Sequence, residues 1–199
     1  MKLPERITFV GTEDPAPVLI RIFLNYGIPI VVGGSQLPEK IQNSIRGMEP
    51  EENLLWTDPA QATVGANIIF VCQPPAQIPG TLAGLPTDAL AILCTERLPD
   101  VLELRSATGA CLVRAFHHLQ PDLLTNPLSF GQRISHLYCC DRPSGRARVE
   151  QLLDLCALEP IFSGNLDLAH ELENVQQLLV SLEIEHGPLA LKLLRGQEG

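Results

Sequence analysis

The sequence predicts an α/β fold with a doubly wound, mostly parallel sheet, helices on both faces of the sheet and a C-terminal helical tail. Two observations predict it. Short apolar runs with β-branched residues alternate with segments whose apolar residues recur at helical spacing, which is typical of strands covered on both faces. A chain of 199 residues is also long enough to bury such a sheet without disulfides or metals.

The first half of the chain alternates strand and helix. Strands are predicted over 6–11, 28–34, 53–57 and 67–74. The first helix ends at Gly27, and one of its faces is lined by Val18, Leu19, Ile22, Phe23 and Tyr26. A short helix is predicted over 37–45, and another begins at Asp58-Pro59, an N-cap followed by proline at the first helical position.

The second half continues the pattern after a proline-rich crossover. The segment 74–86 holds four prolines and two glycines, so we expect an irregular loop or at most one helical turn there. It follows the carboxyl end of a strand, where open α/β sheets bind their ligands. Further strands are predicted over 88–94, 110–116, 135–141 and 159–164, with a helix around Val149 and Cys156 before the last one.

The tail carries a leucine stripe after a predicted domain boundary at residue 164. Residues 1–164 form the predicted nucleotide-binding domain, and 165–199 form a helical tail that we expect to be a dimerisation element. An added terminal helix finds little free surface on a sheet already covered on both faces, so a two-fold homodimer would bury the stripe. The alternative is that the tail packs on its own domain. The stripe consists of Leu168, Leu172, Val175, Leu179 and Leu182.

Composition limits the partners. The net charge of −9 and the lack of a Lys/Arg-rich run argue against nucleic acid, and no apolar run reaches the length of a membrane span. The six cysteines form no C-x-x-C pair and lie mostly in apolar runs, which favours a reducing, cytoplasmic location. Adjacent Cys139 and Cys140 should face opposite sides of the sheet. The histidines show no metal-ligand spacing, so no metal is expected.

The turn after the first strand resembles an altered dinucleotide fingerprint. Gly11 is followed by Thr12, by Glu13 where the second glycine belongs, and by Ala16 at the third position. Pro15 and Pro17 have no N–H to donate, and Asp14 is expected to cap the helix and use free donors. A carboxylate about 5 Å from a phosphate costs about 3 kcal/mol at an effective dielectric constant near 20. We therefore expect weak or absent pyrophosphate binding.

Three further segments carry a family resemblance. The sequence IVVGGSQLPEKI (30–41) is similar to the second strand and G-S-R motif of the deazaflavin (coenzyme F-420)-dependent NADP reductase family, with Ser35 retained and Gln36 in place of arginine. The sequence LVRAFHHL (112–119) resembles that family's V-K-A-F-N segment, with His117 in place of asparagine. Residues 137–182 follow its terminal helix, strand and helix, including Gly164 and the Leu172-Glu173 pair.

The resemblance, which covers nearly the whole chain, implies a Rossmann domain like that of the cytosolic part of the six-transmembrane ferric reductases. It also implies hydride transfer between NADPH and a flavin-like acceptor, and dimers paired through terminal helices. Thr95 ends the fifth strand where the family has a Thr/Ser-Asn element, and Glu96 departs from it. The predicted cofactor-binding residues are Gly11, Thr12, Glu13, Ala16, Ser35, Gln36, Lys40, Gln73, Pro74, Thr95, Ala115, Phe116 and His117.

Two functions remain open at this point. One is an NADP-dependent oxidoreductase with a relaxed cofactor loop; the other is a non-catalytic relative that keeps the fold as a binding or dimerisation module and binds no cofactor. Lys40 would reach a 2′-phosphate, which favours NADP over NAD, or is a solvated helix lysine. His117 and His118 follow a strand at the ligand edge, where one would act as a general acid or cap the nicotinamide pocket. No catalytic residue is assigned.

Overall fold

The computed structural model describes residues 4, 6–34, 39, 42–43, 53–117 and 120–194. Its strands are β1 (Ile7–Val10), β2 (Ile30–Gly33), β3 (Leu54–Thr57), β4 (Ile68–Val71), β5 (Leu90–Leu93), β6 (Cys111–Arg114), β7 (Ser135–Cys140) and β8 (Glu159–Gly164). The α-helices of this part of the chain are α1 (Ala16–Asn25), α2 (Pro59–Thr63), α3 (Ile78–Ala83), α4 (Val101–Ala107), α5 (Pro121–Thr125), α6 (Pro143–Leu155) and α7 (Ala169–His186). Short 3-10 helices span Pro75–Gln77 and Leu166–Leu168.

The eight strands form one sheet in the order β3-β2-β1-β4-β5-β6-β7-β8. Strands β1 to β6 are parallel and have the Rossmann order 3-2-1-4-5-6. β7 is antiparallel to β6, and β8 is parallel to β7. The predicted doubly wound, mostly parallel sheet is therefore confirmed. The carboxyl ends of β1 to β6 and the amino ends of β7 and β8 share one side, which we call the carboxyl edge.

Apolar side chains fill both faces of the sheet. On one face a chain of aromatic rings runs across the strands: Phe9 stacks on Phe70 at 4.8 Å, and Phe70 contacts Phe23 and Phe116 at 5.5 Å each. Cys140 belongs to this layer, whereas Cys139 packs in the layer on the opposite face. The predicted opposite orientation of the two adjacent cysteines is thus confirmed.

Helix starts follow the local sequence at two positions. Asp58 Oδ1 accepts hydrogen bonds from the N–H groups of Ala60 (3.1 Å) and Gln61 (3.0 Å), so the predicted cap of α2 is confirmed. Asp100 caps α4 in the same way, a helix that the sequence analysis did not predict. Glu39, Gln42 and Asn43, the described residues of the short helix predicted over 37–45, are helical.

Two expectations about local structure were wrong. The segment 74–86 holds the 3-10 helix and the six-residue α3 rather than a loop, because Pro75 and Pro79 each lie in the first turn of a helix, where no N–H is required. Asp14 does not cap α1. Pro15 occupies the N-cap position and makes no side-chain capping hydrogen bond.

Gly11 is required by the close approach of β1 to the end of β4. Its φ is +86°, and a Cβ there would lie 2.1 Å from the carbonyl oxygen of Cys72. Gly27, with φ +69°, has nothing within 4 Å of the same position. Both substitutions by alanine impose a left-handed residue, but Gly11→Ala adds a backbone clash.

We expect Gly11→Ala to lower the free energy of unfolding by at least about 2 kcal/mol more than Gly27→Ala. Urea denaturation of the two variants measures the difference. Equal losses would contradict the close approach of the two strand ends.

Candidate functional site

A cleft opens at the carboxyl edge between the ends of β1, β2 and β4. This space, the sheet cleft, has a volume of about 590 Å³. The cleft lies where the strand order changes direction, because β2 and β3 lie on one side of β1 and β4 and the following strands lie on the other. Open α/β sheets bind their ligands at this point. Its lining includes Gly11, Thr12, Glu13, Gly33, Gly34, Gln73 and Pro74.

A second space, the tail cavity, lies next to the sheet cleft and has a volume of about 310 Å³. Cys94, Glu96, Phe116 and His117 line it from the sheet, at the ends of β5 and β6. Its opposite wall comes from the tail, through Gln176, Leu179, Val180 and Glu183 of α7 and the segment 189–191. Glu13 lines both spaces, so the two are neighbours across this side chain.

The tail after α7 returns to the sheet and is attached at its carboxyl edge. The N–H of Ser135 donates to the carbonyl of Leu191 (2.9 Å), and the N–H of Leu193 donates to Ser135 Oγ (3.0 Å). Lys192 Nζ donates to Glu159 Oε2 at 2.6 Å. Hydrogen bonds from Lys192 and Ser135 hold the pKa of Glu159 below its ordinary value. The end of the tail-cavity wall that follows α7 is therefore fastened to the sheet.

The other end of the wall is held by a buried ion pair. Arg114, the last residue of β6, has no solvent exposure, and its Nη2 lies 3.3 Å from Glu173 Oε1 of α7. The same guanidinium donates to the carbonyls of Leu93 (3.2 Å) and Glu96 (3.0 Å), and Glu173 accepts from the N–H of Leu98 (2.8 Å). Burial lowers the pKa of Arg114 to about 10. The pair joins the end of β6, the loop after β5 and the tail helix.

Phe116 adopts a backbone conformation that a second buried group supports. Its φ is +62°, and its N–H donates to Nε2 of His136 at 2.8 Å. Nε2 of His136 is therefore an acceptor, which places the proton of a neutral imidazole on Nδ1. His136 lies in β7 and is fully buried. This hydrogen bond fixes the turn that presents His117 to the tail cavity.

The loop between β1 and α1 offers few donors to an anion. The N–H of Gly11 donates to the Gly33 carbonyl (3.1 Å), that of Glu13 to the Cys72 carbonyl (3.0 Å) and that of Ala16 to the Glu13 carbonyl (2.9 Å). Pro15 and Pro17 have no N–H. In an intact fingerprint, N–H groups of this loop and helix hold the pyrophosphate. Here most of them are absent or already bonded to backbone carbonyls.

Negative charge adds to this loss. Glu13 and Asp14 are exposed, and Glu13 stands between the two spaces that the halves of a dinucleotide would occupy. Burial, a hydrogen bond with Cys94 and the charges of Glu13 and Asp14 all raise the pKa of the Cys72 thiol. The residues present therefore do not fit a pyrophosphate, although the sheet cleft beside them has the position of an adenosine site.

The structure brings together some of the residues predicted to bind a cofactor. The sheet cleft is lined by Gly11, Thr12, Glu13, Gln73 and Pro74, and the tail cavity by Glu13, Phe116 and His117. Ala16 and Ala115 are buried in the core. The Thr95 hydroxyl donates to the Arg97 carbonyl at 2.9 Å, and Gln73 Nε2 donates to Thr81 Oγ1 at 2.7 Å. Ser35, Gln36, Lys40 and His118 lie outside the described residues.

The supporting residues were not predicted from the sequence. Glu173 stands there only within a family motif, the histidines only as lacking metal-ligand spacing, and Arg114 has no predicted role. A charged side chain inside the apolar strand ACLVRAF is a signal, because a buried guanidinium needs a partner. Among the described residues, no three or more His, Cys, Asp or Glu are grouped so as to hold a metal ion.

Solved structures share this architecture. A candidate F-420-dependent NADP reductase from Arthrobacter sp. FB24 matches with a TM-score of 0.78 and 15% identity over 96% of this chain and 100% of its own. This chain therefore shares its fold with that structure. A reductive aminase from Aspergillus terreus, in complex with NADPH and ethyl-5-oxohexanoate, matches with a TM-score of 0.67 and 18% identity over 92% of this chain and 62% of its own.

A further match is the pyrroline carboxylate reductase of Plasmodium falciparum with NADP bound, with a TM-score of 0.58 and 14% identity over 91% of this chain and 66% of its own. The predicted resemblance is thus confirmed at the level of the fold. No protein-family model and no curated protein sequence matches the chain. Within the described segments, every helix is too short or too polar to cross a membrane.

We expect Glu173→Gln to lower the free energy of unfolding by about 3 kcal/mol, because it leaves the buried Arg114 charge without its anion. Glu171→Gln is the matched control, since Glu171 is exposed in the same helix and should change stability by less than about 0.5 kcal/mol. Chemical denaturation of both variants measures these values. Equal stabilities would show that the pair does not hold α7 on the sheet.

Proposed function

We propose that this protein is an oxidoreductase of the NADP-reductase type that binds NADPH weakly because its cofactor loop is degenerate. The observation that carries the proposal is the position of Glu13, which borders both the sheet cleft and the tail cavity. The fold and the sheet cleft favour the binding of a dinucleotide. The loop between β1 and α1 disfavours the binding of its pyrophosphate.

The proposed division of the site follows from the order of the strands. The adenosine half would lie in the sheet cleft near Gly33 and Gly34, and the nicotinamide half would lie in the tail cavity near Phe116 and His117. NADPH supplies a hydride when it is bound, and the acceptor is proposed to be a flavin-like compound, as the family resemblance implies. No step is assigned to a side chain, because the pyrophosphate position does not fit.

A second candidate function is a non-catalytic module that keeps the fold but has lost dinucleotide binding. The observation that favours it is the set of internal hydrogen bonds made by the N–H groups of Gly11, Glu13 and Ala16. These bonds would have to break, or stay unused, when a pyrophosphate enters. Affinity for NADPH separates the two functions.

We expect NADPH to bind with a dissociation constant above about 100 μM, given the penalty of about 3 kcal/mol from the Glu13 carboxylate. Glu13→Gly should tighten NADPH binding at least tenfold. Glu13→Gln should recover the part of the affinity that is lost to the negative charge of Glu13. Isothermal titration with NADPH, NADH and NADP measures these affinities. Glu171→Gln, with the same change in net charge away from both spaces, should leave them unchanged.

Sub-micromolar affinity of the unmodified protein would contradict the loop argument. Undetectable binding by the unmodified protein and by Glu13→Gly would instead favour the non-catalytic module, because the charge would then not be the cause of weak binding.

We also propose that residues 165–199 form a dimerisation element. Within α7, Leu172 is buried and Val175 and Leu179 are half-buried, whereas Leu178, Val180 and Ile184 are exposed by 60%, 47% and 84%. Part of the leucine stripe thus packs on its own chain, and the second half of the helix keeps apolar side chains in solvent. A second copy of the same helix would cover this surface with two-fold symmetry.

We expect sedimentation at tens of micromolar to give a dimer rather than a 21.7 kDa monomer. The double variant Leu178→Glu with Ile184→Glu should be monomeric, because it places charge in the proposed interface. The matched double variant Val64→Glu with Leu102→Glu places the same charges on exposed apolar positions outside the tail and should remain dimeric. A monomeric parent protein would overturn the proposal.

A further inference from the structure

Two buried cysteines lie close together at the edge of the sheet opposite the carboxyl edge, away from the two cavities. Cys111 is the first residue of β6 and Cys140 the last of β7, and their Sγ atoms are 3.8 Å apart. The strand register pairs Cys140 with Val113, so Cys111, two residues earlier, faces the same side of the sheet. The two thiols are diagonal neighbours across the antiparallel junction.

Gly145 of α6 provides the space for this pair. A Cβ at this position would lie 2.5 Å from the Sγ of Cys111 and 2.8 Å from that of Cys140. The helix therefore rests directly on the two sulfur atoms. A disulfide has an S–S distance of about 2.05 Å, so closure requires the sulfurs to approach by about 1.8 Å.

The two thiols differ in their readiness to ionise. The hydrogen bond with Cys140 and the charge of Arg142 lower the pKa of Cys111 to about 7, against the effects of burial and of Asp141. The same bond and burial raise the pKa of Cys140 above its ordinary value. Cys111 is thus the thiol of the pair that ionises more readily.

The remaining buried cysteines of this region lack such a setting. Burial raises the pKa of Cys139 to about 12 and that of Cys156 well above its ordinary value. The sequence, which has no C-x-x-C pair, gives no sign of the difference. It arises from the strand register.

From this geometry we infer that Cys111 and Cys140 are an oxidation site that closes to an intramolecular disulfide in the presence of a hydroperoxide. The Cys111 thiolate attacks the peroxide O–O bond and, with one proton taken up, gives a sulfenic acid and water. The Cys140 sulfur then attacks the sulfenic sulfur, and its proton leaves with the hydroxide as a second water. Two thiols are oxidised by two electrons, and one hydrogen peroxide is reduced to two waters.

The bond would join β6 to β7, the antiparallel junction at which the six parallel strands meet the β7–β8 pair. A crosslink between residues distant in sequence restricts the unfolded chain, so the oxidised protein should melt at a higher temperature than the reduced one. The inference does not depend on the proposed function, because the site lies away from both cavities.

The test is peptide mapping after treatment of the folded protein with hydrogen peroxide. Free thiols are blocked with N-ethylmaleimide, and the protein is digested with trypsin without reductant. The expected product joins peptide 106–114 to peptide 134–146 and is two hydrogens lighter than their sum. Dithiothreitol should separate the two peptides and lower the melting temperature to that of the reduced protein.

Since peptide 134–146 also contains Cys139, Cys139→Ala is the matched variant and should retain the crosslink. Cys140→Ala should lose it and leave a sulfenic acid on Cys111 that reacts with dimedone. If a variant fails to fold, fragmentation of the linked parent peptide locates the bonded sulfur. A linkage through Cys139, or no linkage in protein that circular dichroism shows to be folded, would overturn the inference.

Discussion

The buried pair of Arg114 and Glu173 is the interaction on which the carboxyl edge depends. One guanidinium at the end of β6 binds the end of β5, the loop after it and the tail helix. Removing either partner would leave an isolated charge in the protein interior, which is far more costly than losing a surface ion pair. The position of α7, and with it the wall of the tail cavity, follows from this contact.

The site combines a doubly wound sheet with a loop that offers few donors to an anion. The sheet order, the left-handed Gly11 and the close packing of β1 on the end of β4 keep the geometry of a nucleotide fold. Glu13 and the two prolines of the following turn remove the features that hold an anion. Gly11 is needed for the packing of β1 against the end of β4, whereas free N–H donors are needed only to bind an anionic ligand. The fold therefore does not depend on those donors.

Much of the fold was predictable from sequence because it depends on local patterns. Apolar runs give the strands, and Asp58 followed by Pro59 gives a helix start. Asp14 failed as a cap because the adjacent proline takes that position in the chain. Strand order and helix docking determine three pairs of contacting residues: Arg114 with Glu173, His136 with Phe116, and Cys111 with Cys140. No local pattern encodes their distances.

The outermost strand also influences how copies of the protein can meet. Pro160 removes a backbone donor from β8, and the guanidinium of Arg146 lies 3.7 Å from the ring centroid of Phe162, an apolar side chain that β8 leaves partly exposed. Both features discourage the addition of a foreign strand to this edge. Open-ended strand addition at the β8 edge is thereby disfavoured.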